Sequence, residues 1–103
     1  MAKVKVAKVS EVPEGELKKV MVGKEPDALF YVGGQIYATT KICTHAQCDL
    51  DQNHLMHGEE VECTCHGSQF NVKTGKNTAP PASEPLKTFD VSVEGDEVFV
   101  EVQ

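Results

Sequence analysis

All four cysteines and all four histidines of this 103-residue chain lie between Cys43 and His66. They form two groups, at residues 43–48 and 63–66, that each mix thiol and imidazole side chains, with two further histidines between the groups. A Cys and a His two or three positions apart can face one metal centre from a single loop, so two such loops supply four ligands. Ligands from separate loops also hold a small fold together. We therefore expect a metal centre between two loops.

The order of the ligands narrows the choice of metal. Two thiolates with two imidazoles suit either tetrahedral zinc or an iron–sulfur centre. Zinc sites of this composition usually have Cys near Cys and His near His in the sequence. Here the pattern is Cys-x-His, seventeen residues, then Cys-x2-His. This order fits two irons better than one zinc, because one iron could take both sulfurs while a sulfide-bridged neighbour takes both nitrogens.

The same residues resemble the cluster-binding loops of a known family, the Rieske [2Fe-2S] proteins. The matching motifs are Cys43-Thr44-His45, Cys63-Thr64-Cys65-His66-Gly67-Ser68, Phe70, Thr74-Gly75 and Pro80-Pro81. The resemblance implies one Rieske-type [2Fe-2S] cluster per chain, with Cys43 and Cys63 on one iron and His45 and His66 on the other. It also implies an electron-transfer protein rather than an enzyme.

The resemblance assigns roles to residues around the ligands. Cys48 and Cys65 occupy positions where Rieske subunits of cytochrome bc-type complexes have a disulfide, a pair that many ferredoxins of aromatic-ring oxygenases lack. Ser68 matches a serine that bonds a bridging sulfide, and Phe70 replaces a tyrosine that bonds a cysteine sulfur. The cluster should therefore have a midpoint potential below the quinol-oxidising subunits and above the oxygenase ferredoxins. Pro80 and Pro81 match a loop that shields the cluster.

The two histidines between the motifs are not expected to bind metal. His54 and His57 lie in a polar segment at residues 51–58, which we interpret as a turn. Both are therefore predicted to be solvated loop histidines.

The strand pattern predicts an all-β fold. Period-two alternation and turn residues predict strands at 3–9, 17–22, 28–32, 35–39, 59–62, 68–72, 86–93 and 97–102. Gly33-Gly34 and Glu94-Gly95-Asp96 mark two hairpins. We expect one domain, residues 1–103, forming a small antiparallel β-sandwich or barrel with an inserted cluster-binding subdomain at about 41–82.

Charge and hydropathy limit the partners. The net charge of −6 argues against nucleic acid and suits redox protein partners, namely a reductase and an electron acceptor. No N-terminal apolar run has the length of a signal or membrane anchor, so we expect a cytoplasmic protein without a membrane anchor. We also expect a monomer.

Three functions stay open. The first is a soluble one-electron carrier with an intermediate to high potential. The second is a dedicated ferredoxin component of a multicomponent oxygenase; Cys48, Cys65 and Ser68 argue against the ring-hydroxylating version. The third is a zinc structural module, or a redox sensor that uses Cys48 and Cys65. Colour separates the zinc module from an iron–sulfur protein.

Overall fold

The computed structural model describes residues 2–41, 48–65, 67–80 and 84–102. Within these ranges the chain forms the strands β1 Ala2–Lys8, β2 Leu17–Val22, β3 Glu25–Val32, β4 Gln35–Thr40, β5 His54–His57, β6 Glu60–Cys63, β7 Gln69–Asn71, β8 Asn77–Ala79, β9 Thr88–Phe89, β10 Val91–Glu94 and β11 Glu97–Val102, with a short 3-10 turn at Val9–Glu11. The strands pair antiparallel, which confirms the predicted all-β class. In the same residues, no helix is long and apolar enough to cross a membrane.

The strands form three sheets with the orders β1-β11-β10, β2-β3-β4-β9 and β5-β6-β7-β8. The first two sheets share a core of Val and Leu side chains, whose larger members are Val20, Val22, Leu29, Val98 and Val100. The third sheet lies in the chain between β4 and β9, and those two strands pair with each other. The segment with the candidate ligands therefore leaves and re-enters the fold at one sheet edge.

Strand β3 connects the two cores of the molecule. Its residues Ala28, Leu29 and Phe30 are all fully buried. Successive side chains on a strand point to opposite faces, so Leu29 joins the core between the first two sheets while Ala28 and Phe30 join the core beneath the third. Burial on both faces explains why this strand reads as a continuous apolar run.

Both predicted hairpins are confirmed. Val32 pairs with Gln35 across Gly33-Gly34, and Glu94 pairs with Glu97 across the last turn. The single strand predicted at 86–93 is wrong, because the chain changes sheet at Asp90 and forms β9 against β4 and β10 against β11. The prediction also missed β5 and β8.

Candidate metal centre

The second candidate loop is a tight connection between β6 and β7. Cys63 ends β6 with no exposed surface, and its backbone N–H donates to the carbonyl of Ser68 at 2.7 Å. The Gly67 N–H returns to the Cys63 carbonyl at 2.8 Å. These two bonds fix the position of Cys63 at the start of the loop, where its side chain packs with Val61, Phe70 and Leu50. A thiolate here is screened from water.

The first candidate loop is held at its base. The Leu50 N–H donates to the Lys41 carbonyl at 2.7 Å, which closes the chain around residues 42–49. Lys41 is the last described residue before Cys43, and Cys48 is the first after it. The predicted ligands Cys43, His45 and His66 lie outside the described residues, as does Pro81.

Three of the four cysteines converge where the two loops meet. The Sγ atoms of Cys48, Cys63 and Cys65 all lie within 4.8 Å of one another. Cys48 and Cys65 are adjacent, with Cα atoms 6.7 Å apart, a separation that a disulfide can span. This proximity is compatible with the predicted pair, but the covalent bond itself stays a prediction.

The residues around this point fit an iron–sulfur cluster. Cys63, the one predicted ligand among the described residues, offers a soft sulfur donor and is buried beside an apolar core where the two loops meet. When bound, the cluster supplies a centre that accepts and releases one electron. The buried surroundings exclude water from the Cys63 side of the site.

The predicted tuning residues lie next to Cys63. Ser68 and Phe70 both have no exposed surface, and Phe70 packs in the same apolar cluster as Cys63. Pro80, in contrast, is exposed. Ser68 and Phe70 therefore lie where they could act on a group bound at Cys63.

The interpretation of residues 51–58 as a polar turn is wrong. His54 and His57 are the first and last residues of strand β5, which pairs with β6. The side chain of His54 is only 16% exposed, and its Nδ1 lies 2.6 Å from the carbonyl oxygen of Leu50. Nε2 of the exposed His57 lies 2.8 Å from Oε1 of Glu62. A strand of alternating His and apolar residues escaped prediction because it has only four residues.

Sequence reasoning also missed a charge cluster around the buried Lys41 at the base of the first loop. The Lys41 side chain is only 8% exposed, and its Nζ lies 2.7 Å from Asp49 Oδ1 and 3.3 Å from Asp51 Oδ1. The hydrogen bond to Asp49 raises the pKa of Lys41 above its ordinary value, so the ammonium is charged at neutral pH. The available signal was a lysine two residues before Cys43, with two carboxylates at one and three residues after Cys48.

Fold and site together define a small all-β protein in which cysteine side chains meet beside an apolar core. The sequence profile of the family described as "Rieske [2Fe-2S] domain" matches residues 2–90. The chain therefore belongs to the Rieske [2Fe-2S] domain family, and its cofactor is a [2Fe-2S] cluster.

The relatives are ferredoxins. The biphenyl 2,3-dioxygenase ferredoxin component of Rhodococcus jostii strain RHA1 is 40% identical over 103 residues, covering 100% of this chain and 95% of that protein. The ferredoxin of carbazole 1,9a-dioxygenase from Nocardioides aromaticivorans IC177 superposes with a TM-score of 0.92 at 31% identity, covering 100% of both chains. A structure of reduced oxygenase complexed with oxidised ferredoxin in carbazole 1,9a-dioxygenase matches with a TM-score of 0.87 and 38% identity, covering 95% of this chain and 91% of that chain.

These matches confirm the predicted function of electron carriage and decide between iron–sulfur and zinc. They also favour the hypothesis of an oxygenase ferredoxin over that of a general one-electron carrier. Cys48, Cys65 and Ser68 argue in the sequence against the ring-hydroxylating oxygenases, whereas the relatives named above are dioxygenase ferredoxins.

Proposed function

We propose that this chain is the ferredoxin component of a multicomponent dioxygenase, which carries single electrons from a reductase to a terminal oxygenase. The observation that carries the proposal is the match to the Rhodococcus jostii ferredoxin component along the full chain and 95% of that protein. In the proposed system, the reductase supplies the electrons and the terminal oxygenase carries out the oxygen chemistry.

Reconstitution tests this function. The purified holoprotein is mixed with the reductase and terminal oxygenase of a biphenyl dioxygenase, and NADH-dependent product formation is measured. We expect turnover that depends on this chain and saturates with its concentration. The Cys63→Ser variant, which should not retain the native cluster, controls for uncoupled reduction. A holoprotein that the reductase reduces but that no dioxygenase oxygenase reoxidises would contradict the proposal.

We also propose the ligand set itself, with Cys43 and Cys63 on one iron and His45 and His66 on the other. The burial of Cys63 at the meeting point of the two loops supports its part in this set. Replacing either His by Cys should keep a cluster, change its EPR spectrum and lower its potential, because a thiolate adds negative charge. Unchanged spectra in both variants would refute the assignment.

A disulfide between Cys48 and Cys65 is the next part of the proposal, supported by the adjacency of the two sulfurs. Non-reducing peptide mapping after alkylation tests it directly. The linked peptide should appear in protein purified in air, and Cys48→Ser should abolish it. Complete alkylation of both thiols in the native holoprotein would show that the two residues are thiols.

The remaining proposals concern organisation and location. We infer one domain over residues 1–103 with a cluster-binding subdomain at about 41–82, in which Pro80 and Pro81 shield the cluster. The paired strands β4 and β9 on either side of the insertion support the subdomain. We further infer a monomer in the cytoplasm. Size-exclusion chromatography with light scattering and cell fractionation test these two statements, and a dimer or a membrane-bound fraction would contradict them.

A further inference from the structure

Lys41 differs from the other lysines in its surroundings. Its side chain is 8% exposed, whereas the side chains of Lys3, Lys5 and Lys73 in the other ion pairs are between 43% and 47% exposed. A buried ammonium is costly unless carboxylates compensate it, and here two do so, Asp49 and Asp51. The three residues form what we term the basal clasp.

The basal clasp joins the two ends of the first cluster loop. Lys41 precedes residues 42–47, and Asp49 and Asp51 follow them. The backbone bond from Leu50 N–H to the Lys41 carbonyl, at 2.7 Å, lies between the same segments. A side-chain ion pair and a backbone hydrogen bond thus close the loop at one point.

The clasp also extends to the second loop. The carbonyl oxygen of Asp49 accepts bonds from the backbone N–H and the side-chain amide of Asn53, each at 3.0 Å. The carbonyl of Asn53 in turn accepts the Thr64 N–H at 3.0 Å, next to Cys63. A continuous path of polar contacts therefore runs from Lys41 to the residue that follows Cys63.

We propose that Lys41 is a positioning residue for the cluster, whose ammonium holds the first loop in register with the second through Asp49 and Asp51. This inference rests on the proposed assignment of Cys43 and His45 as ligands, because these are the residues that the closed loop carries. Groups that orient metal ligands commonly affect metal retention by roughly 10–100-fold.

The test compares Lys41→Met with Lys73→Met in purified holoprotein. Lys73 is the matched control, since it lies just beyond the second loop and pairs with a single carboxylate, Glu59, at an exposed site. Bleaching of the visible absorption under excess iron chelator measures cluster loss. We expect Lys41→Met to lose its cluster at least about tenfold faster than wild type, and Lys73→Met to match wild type.

A second readout separates positioning from plain stability. Lys41→Met should change the EPR line shape and lower the midpoint potential, because two carboxylates then stand uncompensated near a centre that gains an electron. Lys41→Arg, which keeps the charge and the donors, should restore both. A variant that merely unfolds at lower temperature, with wild-type spectrum, potential and cluster retention, would overturn the proposal.

If Lys41→Met fails to fold, the Asp51→Asn variant tests the proposal instead. It removes one carboxylate and leaves the bond between Lys41 and Asp49. We expect faster cluster loss than in wild type, and unchanged retention would overturn the inference. The Cys43→Ser variant tests the underlying ligand assignment separately. A native EPR spectrum in that variant would refute the ligand set, whatever the result at Lys41.

Discussion

At the scale of single residues, Asp27 is a buried carboxyl group whose pKa depends on the fold. It is 1% exposed on β3, and no described residue donates a hydrogen bond to its Oδ1. Burial, reinforced by the nearby charge of Glu25 and opposed by Lys87, raises its pKa to about 6. The folded state therefore binds a proton at Asp27 more tightly than the unfolded chain does.

This shift has a definite sign for stability. A carboxyl with a raised pKa contributes stability that is fully present below its unfolded pKa and lost as pH rises through about 6. The Asp27→Asn variant has no ionisable side chain at this position, so its stability lacks this pH-dependent loss. The free energy of unfolding of the variant relative to wild type should therefore increase by about 1–2 kcal/mol between pH 5 and pH 8.

Urea unfolding at several pH values measures this difference. Glu14→Gln, at an exposed position, controls for the loss of one negative charge. A difference between Asp27→Asn and wild type that stays constant across the range would show that Asp27 has an ordinary pKa.

Ser68 and Phe70 determine a second prediction at this scale. Both are buried, Phe70 packs in the apolar cluster of Cys63, and the Ser68 carbonyl accepts the Cys63 N–H. By the Rieske resemblance, hydrogen bonds to cluster sulfurs stabilise the reduced state. Ser68→Ala should lower the midpoint potential and Phe70→Tyr should raise it. The size should be roughly 20–60 mV, the one-electron equivalent of a net hydrogen bond.

Protein-film voltammetry measures the midpoint potentials of both variants and of the wild-type protein. Ser68→Thr, which keeps the hydroxyl, serves as the matched control. A higher midpoint potential in Ser68→Ala together with a lower one in Phe70→Tyr would refute the assignment of these two positions.

At the scale of elements, one glycine fixes how the third sheet meets the second. Gly75 follows β7 with φ +79°, and its carbonyl accepts the Leu86 N–H at 2.7 Å. A Cβ at this position would overlap the Leu86 carbonyl oxygen. Gly75→Ala should destabilise the protein by about 2–4 kcal/mol, since the positive φ and the overlap both oppose a side chain.

Gly33→Ala is the matched comparison for Gly75. Gly33 also has a positive φ, +60°, but a Cβ there meets no atom within 4 Å. It should cost only about 1–2 kcal/mol, the price of the backbone conformation. Thermal unfolding of both variants separates the two contributions, and equal losses would mean that the contact with Leu86 does not matter.

The elements also show what the sequence could predict. The pattern of apolar, polar and turn residues sufficed to predict β2, β4 and β11, and it marked both hairpins at their glycine turns. It failed at β9 and β10, because a change of sheet at Asp90 depends on pairing with distant strands and leaves no mark on local hydropathy. Short strands such as β5 carry too few residues for a period to appear.

For the candidate site, too, the sequence predicts some features and not others. Ligand type and order are local, so the motifs at Cys43 and Cys63 predicted a cluster that the family match confirms. The basal clasp at Lys41 is a contact across the loop, and Asp27 is buried on β3, between β2 and β4. Neither could be predicted from residue type, because lysine and aspartate are normally exposed.

At the scale of the whole molecule, charge is unevenly distributed. Residues 42–72 contain no lysine or arginine, whereas Asp49, Asp51, Glu59, Glu60 and Glu62 all lie in this stretch. The two lysines that flank it, Lys41 and Lys73, are both engaged by carboxylates of the stretch. Residues 42–72, which contain the candidate ligands, therefore carry −5 of the formal net charge of −6.

Glu60 and Glu62 share the outer face of β6 with the exposed Leu55 on β5. An acidic face next to the centre should attract a basic partner surface and speed its association. Changing both glutamates to Gln should lower the second-order rate of electron transfer at low ionic strength by roughly threefold to tenfold. The midpoint potential should change little, since both groups are partly exposed to water.

Stopped-flow reoxidation by the terminal oxygenase, measured over a range of salt concentrations, tests this last prediction. The control replaces Glu94 and Glu97, which carry the same charge on the β10–β11 hairpin and pair with Lys3 and Lys5. If the acidic face of β6 steers the partner, the electron-transfer rate of the Glu60 and Glu62 variant must converge with the wild-type rate at high salt, where charges are screened. It also requires that the Glu94 and Glu97 variant keep the wild-type rate at low salt. Equal losses in the two variants would instead assign the effect to net charge alone, without a preferred docking face.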